Sequence, residues 1–171
     1  MVSETTTVEA VQPQRQALRQ ILTFSLNGQD YGFDLLQVQE IRGLTSITPV
    51  PNMPPHIKGV MNLRGSVLPV VDLRLKFEMP LIEYTKFNVI VIAHAAGKSV
   101  GLVVDSVSDV LNVPAESIQR APDFGGSVDS RMVQGLLKTS DRLAVLLDLE
   151  KLLTESEILA AAVETAPEAL P

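Results

Sequence analysis

Ile21-Leu22-Thr23-Phe24-Ser25-Leu26, Asn27-Gly28-Gln29-Asp30 and Tyr31-Gly32-Phe33-Asp34-Leu35 follow one another near the start of the chain. The first run is a half-alternating strand, the second a turn and the third a returning strand. Asn-Gly is a strong hairpin signal because both residues tolerate the positive φ of a tight turn. The returning strand has a counterpart: Tyr31-Gly32-Phe33 aligns with Val100-Gly101-Leu102, 69 positions later. At that spacing Val38 meets Val107, Glu40 meets Asp109 and Ile41 meets Val110. Gly59 and Gly135 open a second match, in which Val67 meets Leu143, Val71 meets Leu147 and Asp72-Leu73 meets Asp148-Leu149, now 76 positions apart. A longer loop in the second half, around Asp123 to Asp129, accounts for the change in spacing. The chain reads as one unit written twice.

Working outward, Leu36 to Arg42 fits either a helical turn or a strand, and Gly43 ends it. Pro49, Pro51, Pro54 and Pro55 stiffen a loop and forbid regular structure there. Val60 to Leu63 and Ser66 to Val71 read as short strands, the second at an edge or bulge because Pro69 lacks a donor. Asp72 is placed to cap a short helix, Leu73 to Phe77. Glu78 to Lys86 reads as the joint between halves. Strands follow at Phe87 to Ala93, Val100 to Val104, Val107 to Val113 and Arg142 to Leu147, then a helix from Leu149 to about Ala162. Many short strands separated by turns predict barrels or a sandwich. Each half is a barrel of about five strands, too small to bury much alone, so the two share a core. Their seam makes a groove, with Val38 and Val107 facing each other across it, and such grooves bind partners.

Composition narrows the function. The 171 residues are 46% hydrophobic but only 4% aromatic, with no Trp, and the formal net charge is −6. That balance argues against nucleic acid, whose phosphates reward a basic face, and weakens the reading of a nucleic-acid-binding small barrel. It also disfavours polybasic attachment to anionic lipid. No cysteine is present, which excludes disulfides, thiolate chemistry and Cys-ligated zinc. Met1 to Ala17 has no apolar signal core, and the longest apolar run, Val89 to Ala93, is far short of a bilayer span. A cytoplasmic protein without direct membrane insertion is expected.

Catalytic and metal constellations do not assemble. His56 and His94 are isolated, and a metal needs three or four supported ligands. Asp72, Asp105, Asp109 and Asp148 are the carboxylates nearest apolar strands, and Asp72 and Asp148 occupy repeat-equivalent helix starts, which capping explains better than acid–base pairing. Ser66, Ser106 and Ser108 have no evident base, and neither a nucleophile elbow nor a phosphate loop occurs. No enzyme, cofactor or metal is expected. The basic residues say more: Arg42 before Gly43, and Arg64 before Gly65, each stand at a strand end. A guanidinium there reaches a carboxylate with directional bonds, within the chain or on a partner.

Tyr31-Gly32-Phe33-Asp34, Val38-Gln39-Glu40-Ile41-Arg42-Gly43 and Ile57-Lys58-Gly59-Val60-Met61-Asn62-Leu63-Arg64-Gly65 closely resemble the CheW family of bacterial chemotaxis coupling proteins. So do Val67-Leu68-Pro69-Val70-Val71-Asp72-Leu73-Arg74 and Val100-Gly101-Leu102-Val103-Val104-Asp105-Ser106-Val107-Ser108-Asp109-Val110. The motifs run in family order from about Gln20 to Leu153. The resemblance implies a mainly β fold of two five-stranded SH3-like barrels around a shared core, with short helices and a C-terminal helix. It places one such domain at 20–162, with barrels at 20–85 and 86–150, a helix at 149–162, and flexible tails at 1–19 and 163–171. It implies an adaptor that links the cytoplasmic tips of methyl-accepting chemoreceptors to the regulatory domain of the CheA histidine kinase. Such an adaptor is recruited to membrane-associated arrays; a scaffold in a non-motility chemosensory pathway is the alternative. Carried over by position, the receptor groove uses Val38, Glu40, Gly59, Arg64, Val107 and Val110. The valines give apolar contact, Glu40 and Arg64 fix register, and Gly59 permits close approach. A second kinase contact falls on Gln119, Arg120 and Phe124. There relatives often read Ile-Arg-Pro-Ala-Pro-x-Phe where this chain has Ile118-Gln119-Arg120-Ala121-Pro122-Asp123-Phe124, its Arg displaced by one place.

Overall fold

The structure is a computed structural model that describes residues 18–95, 97–120 and 130–153. Residues 1–17 of the expected N-terminal tail, the C-terminal tail, most of the C-terminal helix, the loop around Asp123–Asp129 and Phe124 lie outside the described residues. Strands β1 (Leu18–Leu26) and β2 (Gln29–Asp34) form the hairpin expected at Asn27-Gly28. A 3-10 turn (Leu35–Gln37) leads into β3 (Val38–Gly43), so the ambiguous stretch is a helical turn followed by a strand. Next come β4 (Ile57–Leu63), β5 (Ser66–Asp72) and a short helix α1 (Leu73–Lys76). Then follow β6 (Val89–Ala95), β7 (Lys98–Val104) and β8 (Ser106–Pro114). The two-residue β9 (Ile118–Gln119), β10 (Val133–Thr139), β11 (Arg142–Leu147) and α2 (Leu149–Leu153) complete the order.

The strands form two sheets, β3-β6-β7-β5-β4 and β8-β1-β2-β11-β10-β9. In the first, Thr48 bonds back to Val60 through both backbone groups, at 2.9 Å each, and draws the sheet into a barrel. In the second, β8 runs through a 3-10 turn (Ala115–Ser117) into β9 at the opposite edge. These are termed the central barrel (β3–β7) and the flanking barrel (β1, β2, β8–β11).

The duplication is visible in the hydrogen-bond register. The parallel pair Val70↔Gly101 in the central barrel is matched by Leu146↔Gly32 in the flanking one. Bulges fall at Ile57/Gly59 and at Val133/Gly135. The Asp72 amide donates to the His56 carbonyl and the Asp148 amide to that of Met132, both at 2.8 Å. Every pair obeys the spacings of 69 and 76 residues read from the sequence.

One expectation is corrected. The barrels are not the contiguous halves 20–85 and 86–150: the first-half hairpin β1–β2 sits in the flanking barrel, while β6–β7 sits in the central one. Glu78 to Lys86 therefore connects α1 to β6 within one barrel. The crossings between barrels are Leu35–Gln37 and Asp105. A repeat identifies equivalent strands but not which copy pairs with which, because both arrangements satisfy the same ladders. Two smaller differences follow. Leu18 and Arg19 belong to β1, held by register with Pro114 and Val113. Pro69 is in an inner strand rather than at an edge, one residue before the pairing of β5 with β7 begins.

Exchange explains the continuous apolar runs. In β1, Leu22, Phe24 and Leu26 point into a core shared by both barrels, while Ile21 points into the flanking barrel. In β6, Val91 and Ala93 face the shared core, and Ile90 and Ile92 fill the central barrel. Strands buried on both faces lose the polar alternation of a half-exposed strand. The Phe24, Phe33, Tyr31 and Phe77 rings gather in the shared core, Phe24 and Phe33 with centroids 4.7 Å apart. Asp72 caps α1 as expected, accepting from the Arg74 and Leu75 amides.

Candidate docking groove

β3 begins right after the chain's crossing into the central barrel, and β8 right after its crossing back into the flanking barrel. Val38 and Val107, at the start of these strands, are half-buried against the shared core. Each lies beside a bulge: Val38 and Glu40 oppose the consecutive residues Ala93 and Ile92, as Val107 and Asp109 oppose Phe24 and Thr23. At the second bulge the Thr23 hydroxyl donates to the Asp109 carbonyl and accepts from its amide, both at 3.1 Å. A bulge re-aims side chains. Beyond it Val110 is 40% exposed, and its repeat partner Ile41 is 43% exposed. Sequence reasoning placed Val110 in the groove and left Ile41 out, although the repeat pairs the two.

Glu40 is half-buried between two guanidinium groups. Its Oε1 accepts from Arg64 Nη2 at 2.6 Å, and its Oε2 from Arg42 Nη1 at 3.0 Å. The Arg64 bond, then the Arg42 bond, holds the Glu40 carboxyl below the usual glutamate range. Arg64 is presented by the two-residue turn between β4 and β5, with φ of 50° at Arg64 and 89° at Gly65. Such a pair of left-handed residues matches the twist of a hairpin, and it is unfavourable for an Arg. The Gly65 amide, bonded to Asn62 Oδ1 at 3.1 Å, and the ion pair with Glu40 help hold it there. The Arg64 side chain remains 69% exposed, so the guanidinium is open to solvent while it is held on Glu40. Arg42, recognised as a strand-end Arg, is a second arm on the same carboxylate.

Gly59 acts one layer down. Its φ is 144°, and a Cβ there would run into the carbonyl of Thr48. The close approach it permits is to the chain's own loop, and that approach closes the central barrel. On the other proposed surface, Gln119 is exposed in β9 opposite Leu136, and Arg120 is exposed just after it. Among the described residues, no group of three or more His, Cys, Asp or Glu is arranged to hold a metal ion, and no helix is long and apolar enough to cross a membrane.

Two hairpin-exchanged barrels around one shared core define the class: a double-barrel β module. A family model described as CheW-like domain matches residues 20–157. The chemotaxis protein CheW of Klebsiella aerogenes is 41% identical over 140 residues, covering 82% of this chain and 84% of that protein. That of Bacillus subtilis is 33% identical, covering 78% and 85%. Among solved structures, the scaffolding protein TtCheW from Thermoanaerobacter tengcongensis matches with a TM-score of 0.75 at 33% identity, covering 81% of this chain and 90% of that one. The chain belongs to the CheW family.

Proposed function

We propose that the chain is a chemotaxis adaptor that couples methyl-accepting chemoreceptors to the CheA histidine kinase. It acts by binding rather than by catalysis. The receptor tip lies along the seam on Val38, Val107 and Val110, while Glu40 and Arg64 set its register. Gly59 contributes by holding the Thr48 loop against β4. A kinase contact falls on Gln119, Arg120 and Phe124, and the protein works in the cytoplasm beneath membrane-associated receptor arrays. The observation that carries this reading is the exposed Arg64 guanidinium held on Glu40, two residues along β3 from Val38, which packs with Val107 against the core common to both barrels.

A three-component pull-down tests it. Purified protein is expected to retain both a receptor-tip fragment and the kinase regulatory domain; failure to retain either rejects the reading. Arg64→Asp reverses the charge at the rim and is expected to weaken receptor attachment about tenfold or more, roughly 1.4 kcal/mol, while kinase binding stays near the parent value. Equal loss of both would mean that the protein has unfolded.

A further inference from the structure

The described chain passes between the barrels twice, at Leu35–Gln37 and at the single residue Asp105. These two crossings are the covalent links that hold one barrel to the other among the described residues. The repeat makes the crossings equivalent: Asp105 corresponds to Leu36, and Arg74 to Glu150. Their polar fittings are unlike.

At Asp105 three elements converge. Arg74 of α1, packed on the central barrel, donates Nε to Asp105 Oδ1 at 2.8 Å and Nη2 to Oδ2 at 2.9 Å. The third guanidinium nitrogen, Nη1, donates to the Pro80 carbonyl at 2.6 Å, so the fork cannot swing away. From the flanking barrel, the Asn27 amide at the β1–β2 turn donates to Asp105 Oδ2 at 2.9 Å. The backbone joins in, the Asp105 amide donating to the Ser25 carbonyl at 3.1 Å. The Arg74 side chain is 9% exposed. At the other crossing Leu36 is 89% exposed, and its polar neighbour Asp34 serves its own barrel, capping the Leu36 amide and pairing with Arg19 of β1.

We propose that Asp105, clamped between Arg74 and Asn27, is a positioning residue that pins the two barrels in one relative orientation. Desolvation offsets much of the attraction in a pair this buried, whereas bidentate geometry fixes direction. The node therefore sets orientation more than stability. By contrast, Glu40 with its two arginines and Asp30 with Arg142 each tie strands of a single barrel. The docking reading above gives the pin its use, but the pin is a property of the chain without any partner.

The test needs no partner, so its failure is distinct from failure of the docking reading. The chain has no cysteine, so Val67→Cys in β5 and Lys138→Cys in β10 place one spin label on each barrel of the full chain. Double electron–electron resonance is expected to give one narrow distance distribution. Arg74→Met with Asp105→Asn removes both charges without stranding either, and is expected to broaden the distribution or add a second maximum. Asp30→Asn with Arg142→Met, a bidentate pair inside the flanking barrel, is expected to leave it narrow. Asp105→Glu keeps the charge on a longer arm and is expected to move the maximum, which keeps the test decisive if the double variant does not fold. An unmoved, narrow distribution in the Asp105 variants, or equal broadening in the Asp30–Arg142 control, would overturn the proposal.

Discussion

Glu40 and Asp109 stand at equivalent places beside equivalent bulges, yet they do different things. Glu40 is gripped by Arg64 from the neighbouring turn and by Arg42 from its own strand. Asp109 turns back on its own strand and accepts from the Val110 amide at 2.7 Å. Arg64 itself corresponds to Ser140, which keeps a positive φ, of 33°, but not the guanidinium. Asp105, bonded to Arg74 and Asn27, likewise corresponds by repeat position to an exposed Leu36. Duplication preserved what folding requires, the register, bulges and core, while the polar side chains diverged.

The first way to break this comparison is to attack what the barrels share. Phe24, fully buried in the common core, is expected to cost about 3–5 kcal/mol on replacement by Ala, with protection lost in amides of both barrels. Leu137→Ala, inside the flanking barrel, is expected to cost about 2–5 kcal/mol, with the first losses of exchange protection in that barrel. Denaturant unfolding followed by hydrogen exchange separates the two patterns.

The glycines of the two bulges sharpen it. Gly59→Ala meets both a left-handed φ and the Thr48 backbone, and is expected to lose about 3 kcal/mol. Gly135→Ala places a Cβ 2.7 Å from the Gln119 carbonyl at an ordinary φ, and is expected to lose about 2 kcal/mol. A reversed order in urea titrations would mean that the bulges are less alike than their register indicates.

The smallest effect is at Glu40. Because its folded pKa is lowered, the stability it lends is complete above the unfolded value and fades as pH falls through the folded one. An NMR titration is expected to place its midpoint below the ordinary glutamate range. Arg64→Ala should raise the midpoint more than Arg42→Ala, since the Arg64 bond is the larger cause. The accompanying change in melting temperature should be slight, because exposed ion pairs contribute little to stability.

Much of this was legible in the sequence. Asn27-Gly28 marked the hairpin, the spacings of 69 and 76 residues matched equivalent strands, and Asp72 marked the start of α1. The exchange of hairpins was not legible, because strand identity in a repeat carries no record of the copy it pairs with. Nor was the role of Arg74, whose partner Asp105 lies 31 residues away in a motif that reads as ordinary strand. Arg64 could be singled out as a strand-end arginine, but its union with Arg42 on Glu40 depends on the loop from Leu44 to His56 folding back, through Thr48, onto β4.

Amide chemical-shift mapping with a receptor-tip fragment tests the central claim most directly. Perturbations are expected in one patch that crosses the seam, covering Val38, Glu40 and Arg64 on one side and Val107 and Val110 on the other. Perturbations confined to a single barrel, or centred on the Lys138–Leu143 turn, would contradict it.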